Sequence, residues 1–279
     1  MRGFKYICLS GSQFLTMIYK LFNYTRMNNT RRSFITNAAI GTLAALSIPE
    51  LASSAFAEAK GKKVRLTEND VVLFQGDSIT DSGRDKKKTE ANNVACMGSG
   101  YALVAGSRLL VDHPEKKLQI YNKGISGNKV YQLADRWDED CLSLKPNVLS
   151  IFVGVNDYWH TLNPKTPYTG TIETYRTDYK KLIDRTKAAL PDVKLIICEP
   201  YAINGVKSVT DAWYPKFPEF QVAAREIAEQ YGAAFVPFQA VVDKALKQAP
   251  GNYWSNDGVH PNMAGITLLA HAWLEAVKG

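Results

Sequence analysis

Ser78 closes an apolar run, Val71-Val72-Leu73-Phe74-Gln75, in the turn Gly76-Asp77-Ser78. A serine hydroxyl becomes a nucleophile only beside a base that takes its proton, with a third group to orient that base. Without such partners, a serine after a strand is a helix N-cap. His260 can supply the base. It stands in Asp257-Gly258-Val259-His260-Pro261-Asn262, where the following proline keeps it extended just ahead of a final helix. Asp257, three residues back across a glycine, can reach Nδ1 and leave Nε2 to accept the Ser78 proton. The same D-x-x-H spacing also serves as a plain helix cap, so it does not decide the matter alone. Among the other histidines, His113 precedes Pro114 in a turn and His271 falls within the last helix. His160 follows the loop after the third strand-length run, and no role is assigned to it.

Attack on a carbonyl also needs donors for the oxyanion. Two glycine-containing loops offer them: Asn122-Lys123-Gly124-Ile125-Ser126-Gly127-Asn128 and Gly154-Val155-Asn156-Asp157. The Gly127 backbone N–H and the Asn156 side-chain amide are the candidates, with ordinary turn chemistry as the alternative for either loop taken alone. Tyr158, Trp159, Trp213, Tyr214 and Trp254 fall in or near these loops and could stack on a sugar face or simply pack. Asp77 and Asp157 read as loop-fixing acceptors, with Asp77 also a candidate substrate contact. Trp137, in a helical pattern, reads as packing.

These residues have to be positioned by the elements between them. Strand-length apolar runs at Val71–Gln75, Leu118–Asn122, Val148–Val153, Lys194–Cys198 and Ala233–Pro237 alternate with helical patterns. The helical stretches lie near Tyr101–Val111, Lys129–Leu142, Thr171–Leu190, Phe217–Tyr231, Gln239–Lys247 and Asn262–Val277. Alternation of this kind predicts a three-layer α/β/α, flavodoxin-like fold with a five-stranded parallel sheet. Such a sheet brings the loops after its strands to one edge, where ligands bind. Asp81–Gly100, with Lys86-Lys87-Lys88, reads as a solvated loop beside that edge, and Asn204–Phe217 as a second rim loop.

The strings G-D-S-I-T, N-K-G-I-S-G-N, G-V-N-D and D-G-V-H-P, in this order from Val71 onward, resemble the four blocks of the SGNH (GDSL-type) hydrolases. The longer strings G-D-S-I-T-D-x-G-R, G-x-G-Y and R-W-x-x-D are similar to those of the SGNH acetylxylan esterases. The resemblance implies a nucleophile at Ser78, a triad completed by Asp257 and His260, and an oxyanion hole of the Ser78 and Gly127 N–H groups with the Asn156 amide. It implies an esterase that removes a short acyl group, such as acetyl, from a carbohydrate without cofactor or metal. A lipid-directed lysophospholipase or thioesterase on the same fold, or a carbohydrate-binding protein without activity, are the competing expectations. An α/β-hydrolase would need G-x-S-x-G, but Thr80 replaces the second glycine.

The net charge of +7 over 279 residues suggests a nucleic-acid partner until it is divided. Residues 1–57 hold six basic side chains against one acid, leaving 28 against 26 in the remainder. The basicity belongs to the leader, so no nucleic-acid partner is expected. Within it, Arg31-Arg32-Ser33-Phe34, an apolar run from Ala38 to Ile48 and Ala55-Phe56-Ala57 read as a twin-arginine-type export signal with its cleavage site. The run is too short for a stable membrane anchor. The expected organisation is thus a leader over 1–57, with translation starting at Met27, and a catalytic domain over 58–279, exported to the periplasm or beyond. Three cysteines outside the leader, Cys96, Cys141 and Cys198, form neither a disulfide framework nor a metal motif. A homo-oligomer is compatible with the sequence.

Overall fold

The computed structural model describes residues 46–162 and 168–279. The paired arginines, Met27 and most of the apolar run after them lie outside the described residues. The compact unit formed by the described residues begins at Leu46. Ile48–Glu58, including Ala55-Phe56-Ala57, forms helix α1, with Pro49 in its first turn and the Ser47 amide bonded to the Glu50 carboxylate (2.7 Å). A two-residue strand, β1 (Val64–Arg65), follows.

β2 (Val71–Gly76) is the apolar run that carries Ser78. The chain turns through α2 (Ser78–Asp81) and α3 (Tyr101–Asp112) into β3 (Gln119–Asn122). It crosses by α4 (Val130–Asp135) to β4 (Val148–Phe152), then by α5 (Val155–Trp159) and α6 (Ile172–Ala189) to β5 (Lys194–Cys198). After α7 (Phe217–Gln230) come β6 (Ala234–Val236), α8 (Phe238–Ala245), the single turn α9 (Gly251–Trp254), α10 (Met263–Leu274) and β7 (Val277–Lys278). The five strands β3-β2-β4-β5-β6 form one parallel sheet, as the alternation predicts. β2 lies between β3 and β4, so the crossover direction reverses at its carboxyl end. That reversal opens a crevice, the usual ligand position in an open α/β sheet. Gly76 pairs with Phe152 and Phe74 with Asn122, and the segments beyond these strands share one edge.

Several expectations change. Val277 belongs not to the last helix but to β7, which pairs in parallel with β1. The single helix expected over Lys129–Leu142 is broken at Arg136, whose backbone leaves helical geometry (φ −111°, ψ 11°). The Asp81–Gly100 loop is less solvated than its lysines suggest, since Asp81 and Arg84 are buried. α1 buries Leu51, Ala52, Ala55 and Phe56 against α8 and α10, so Ala55-Phe56-Ala57 is held in a docked helix. On the sheet, Phe74 packs against Trp273 (4.6 Å between ring centroids), and the Trp273 indole donates to Ser150 Oγ (2.9 Å). Among the described residues no helix is long and apolar enough to cross a membrane.

Candidate active site

Asp77 directly follows β2 and accepts from the Ile79 amide (3.0 Å), which makes it the N-cap of α2. Ser78 is therefore the first helical residue, where backbone amides have no intrahelical acceptor. Its Oγ lies 2.7 Å from His260 Nε2. The other ring nitrogen, Nδ1, lies 2.7 Å from Asp257 Oδ2. Asp257 Oδ1 accepts from the backbone amides of His260 (2.7 Å) and Val259 (2.9 Å). Burial alone would raise the Asp257 carboxyl, but hydrogen bonds from the His260 ring and from these amides hold it below the usual carboxylate range.

Asp257 therefore serves the histidine turn and does not cap the last helix. That cap is Asn262, whose Oδ1 accepts from Ala264 (3.1 Å) and Gly265 (3.2 Å). Pro261 sits outside the helix, in a bridge to Ser255. Neighbouring groups hold the turn rigid. Ser255 Oγ donates to the His260 carbonyl (2.7 Å), and Tyr201 Oη donates to that of Val259 (2.7 Å).

Gly127 lies beyond β3 in the left-handed region (φ +81°), where a side chain would be strained. Three charged residues from elsewhere in the chain hold its loop. Asp81 Oδ2 accepts from the Ser126 amide (2.9 Å) and hydroxyl (2.7 Å). Arg84 Nε donates to the Gly124 carbonyl (2.8 Å). Arg136 donates to Asn128 Oδ1 (2.9 Å) and to the Lys123 carbonyl (2.7 Å). Burial would raise the Asp81 carboxyl, yet its bonds from Lys86 and Ser126 keep it low. Gly124 approaches the backbone of Thr80 and Asp81 so closely that a Cβ would collide with it.

Asn156 lies in the first turn of α5, buried, with Nδ2 donating to the Asn128 carbonyl (3.2 Å). One N–H of an amide group can be satisfied by that carbonyl, which leaves the second to point elsewhere. The adjacent Asp157 Oδ1 accepts from the Val130 amide (3.1 Å), so the loops after β3 and β4 are tied to each other. Burial pushes both Asp77 and Asp157 up to about 7, with their mutual repulsion adding to it for Asp77.

The aromatic and acidic substrate candidates separate sharply. Trp159 is half-buried, its ring 6.1 Å from that of His260. Four others are largely buried, with their polar groups held by the chain. Asp77 is 1% exposed and spent on its cap. Tyr158 donates its hydroxyl to the Ala212 carbonyl (3.0 Å), Trp213 its indole N–H to the Ser208 carbonyl (3.1 Å) and Trp254 its own to the Ala249 carbonyl (3.1 Å). A buried ring with its polar handle satisfied in this way is packing. His160 lies near Gly127, its Cε1 3.9 Å from where a Cβ would stand. Among the described residues no cluster of His, Cys, Asp or Glu could hold a metal ion.

Residues 74–268 match the model of the GDSL-like lipase/acylhydrolase family. An acetylxylan esterase of Geobacillus stearothermophilus is 32% identical over 219 residues, covering 77% of this chain and 96% of that protein. Among solved structures, a GDSL-like lipase candidate from Parabacteroides merdae is 49% identical, with a TM-score of 0.75 over 77% of this chain and 98% of its own. The acetylxylan esterase Axe2 of Geobacillus stearothermophilus is 31% identical, with a TM-score of 0.68 over 76% of this chain and 96% of its own. The family match covers the whole span from the serine strand into the helix after the histidine turn, and with it the chain is a carboxylic ester hydrolase of the GDSL-like lipase/acylhydrolase (SGNH) family.

Proposed function

We propose that the protein is a serine esterase that removes acetyl groups from a carbohydrate such as acetylated xylan, through an acyl-enzyme on Ser78. The observation that carries the reading is the continuous relay from Ser78 Oγ to His260 Nε2 and from His260 Nδ1 to Asp257, each step 2.7 Å. Asp257 fixes the tautomer with the proton on Nδ1, so Nε2 takes the Ser78 proton as Oγ attacks the carbonyl carbon. The carbonyl oxygen becomes an oxyanion and accepts from the Ser78 and Gly127 amides and from Asn156 Nδ2. His260 then gives its proton to the departing sugar hydroxyl. Water repeats the cycle, releasing acetate and restoring Ser78.

The acetyl preference rests on the 32% identity to an acetylxylan esterase and on the sequence, which offers no long apolar lid to bury an acyl chain. Export is part of the same reading. Arg31-Arg32 with Phe34 supports a twin-arginine route, and polymeric plant carbohydrate is met outside the cytoplasm. The test is acetate release from acetylated xylan beside hydrolysis of p-nitrophenyl esters of increasing chain length. Activity should peak at acetate. A peak at about eight carbons or more would require an apolar channel, since each buried CH₂ contributes about 0.8 kcal/mol only where one exists, and would refute the acetyl reading.

A further inference from the structure

A cleft of about 610 Å³ opens between the first turns of α6 and α7, lined among others by Tyr158, Thr161, Glu173, Tyr214, Lys216 and Glu219. Pockets of this size hold small ligands. α6 is the crossover helix between the parallel strands β4 and β5, and α7 the one between β5 and β6, so the first turns of both lie on the carboxyl edge of the sheet, as Ser78 and Asn156 do. The connection to His260 is aromatic. Trp159 packs 6.1 Å from the His260 ring and 5.8 Å from Trp213, and the neighbours of Trp213 on either side, Ala212 and Tyr214, line the cleft. The partly exposed Trp159 ring therefore lies between the histidine and the wall of the cleft.

We propose that this cleft is a second binding subsite, which takes the neutral sugar residues flanking the acetylated one. The inference rests on the acetyl-carbohydrate reading above. The lining has the chemistry for a polyhydroxylated ring. Tyr214 offers an aromatic face for its apolar side. The carboxylates of Glu173 and Glu219 are acceptors for its hydroxyls, and charge-assisted hydrogen bonds of this kind are the stronger ones. Two carboxylates outweigh the single ammonium of Lys216, so a uronic acid carboxylate is repelled from the cleft while a neutral pentose is not. Tyr158, with its hydroxyl fixed on the Ala212 carbonyl, forms a rigid floor.

The experiment compares kcat/KM for acetylated xylotetraose with kcat/KM for p-nitrophenyl acetate, which is too small to reach the cleft. The ratio cancels any loss of folded enzyme. Glu173 and Glu219 are surface residues, so Glu173→Gln with Glu219→Gln can be made without touching the core. The double variant should lower the ratio about tenfold, through KM for the tetraose rather than kcat, the scale of one or two lost charged hydrogen bonds. E173K/E219K should shift preference from acetylated xylotetraose toward acetylated oligogalacturonide. An unchanged ratio in both variants would overturn the subsite while leaving the esterase reading intact. A wild-type enzyme that cleaves p-nitrophenyl acetate but releases no acetate from xylotetraose would overturn both together.

Discussion

Asp257 and Asp157 are both aspartates beside the reacting groups, and their surroundings drive them in opposite directions. Asp257 gains three hydrogen bonds and stays ionised, as a carboxylate orienting an imidazole must. Asp157 is fully buried with Oδ2 unbonded, as is that of Asp77, and desolvation pushes it up to about 7. The stability consequence has a definite sign. Between the ordinary aspartate range and about pH 7 the folded chain binds protons here that the unfolded chain has released, so folding stability falls as pH rises through that window. Asp157→Asn keeps an oxygen to accept from Val130 and removes the titration. Its melting temperature relative to wild type should therefore climb by about 5 °C between pH 5 and pH 8, a comparison made by calorimetry across pH. A constant difference would show that folding does not raise the Asp157 carboxyl above its ordinary range. At this scale the contact between Asp257 and His260 was legible in the sequence, because the two are three residues apart and their geometry is local. Asp81, Arg84 and Arg136 were not legible as supports of the Gly127 loop. Arg84 bonds a carbonyl forty residues away, and no local periodicity records such a contact. For the aromatic residues the sequence left stacking and packing both open. Their loop positions were right, but a loop position does not say whether a ring faces water or core.

The elements show the same division. The five strands of the main sheet were readable as apolar runs, and each ends within a residue or two of its expected limit. β1 and β7 were not, because a two-residue strand has no periodicity to detect. The break at Arg136 escaped detection because helical propensity runs straight through it, and only the pull of the Lys123, Asn128 and Asp140 acceptors turns the guanidinium inward. α1 is the element with the most direct consequence. Its sequence of small and apolar residues looks like the end of an export signal, yet Leu51 and Phe56 are buried against α8 and α10. Burying side chains of this size is worth about 1.5–3 kcal/mol each. A chain begun at Ala59 should therefore melt about 10 °C below one begun at Leu46, as thermal unfolding of the two would show. Equal melting temperatures would mean that α1 contributes nothing to the fold.

In the whole molecule, the sheet order explains why residues scattered from position 78 to position 260 meet. The crossover reverses at β2, its strand end lines up with those of β3 and β4, and the segments beyond all three converge on one crevice. The final turn brings His260 to the same place through its bonds to the loop that follows β5. Alternation of strands and helices made the architecture legible but not the strand order, because pairing between strands distant in sequence leaves no local pattern. The central claim is that Ser78 carries the acyl group, and covalent labelling tests it most directly. After incubation with a fluorophosphonate probe, peptide mass mapping should place a single stoichiometric adduct on Ser78. The same treatment of Ser78→Ala should give no adduct, and that variant should release no acetate. An adduct on another residue, or a Ser78→Ala enzyme that still hydrolyses p-nitrophenyl acetate at the wild-type rate, would contradict the account.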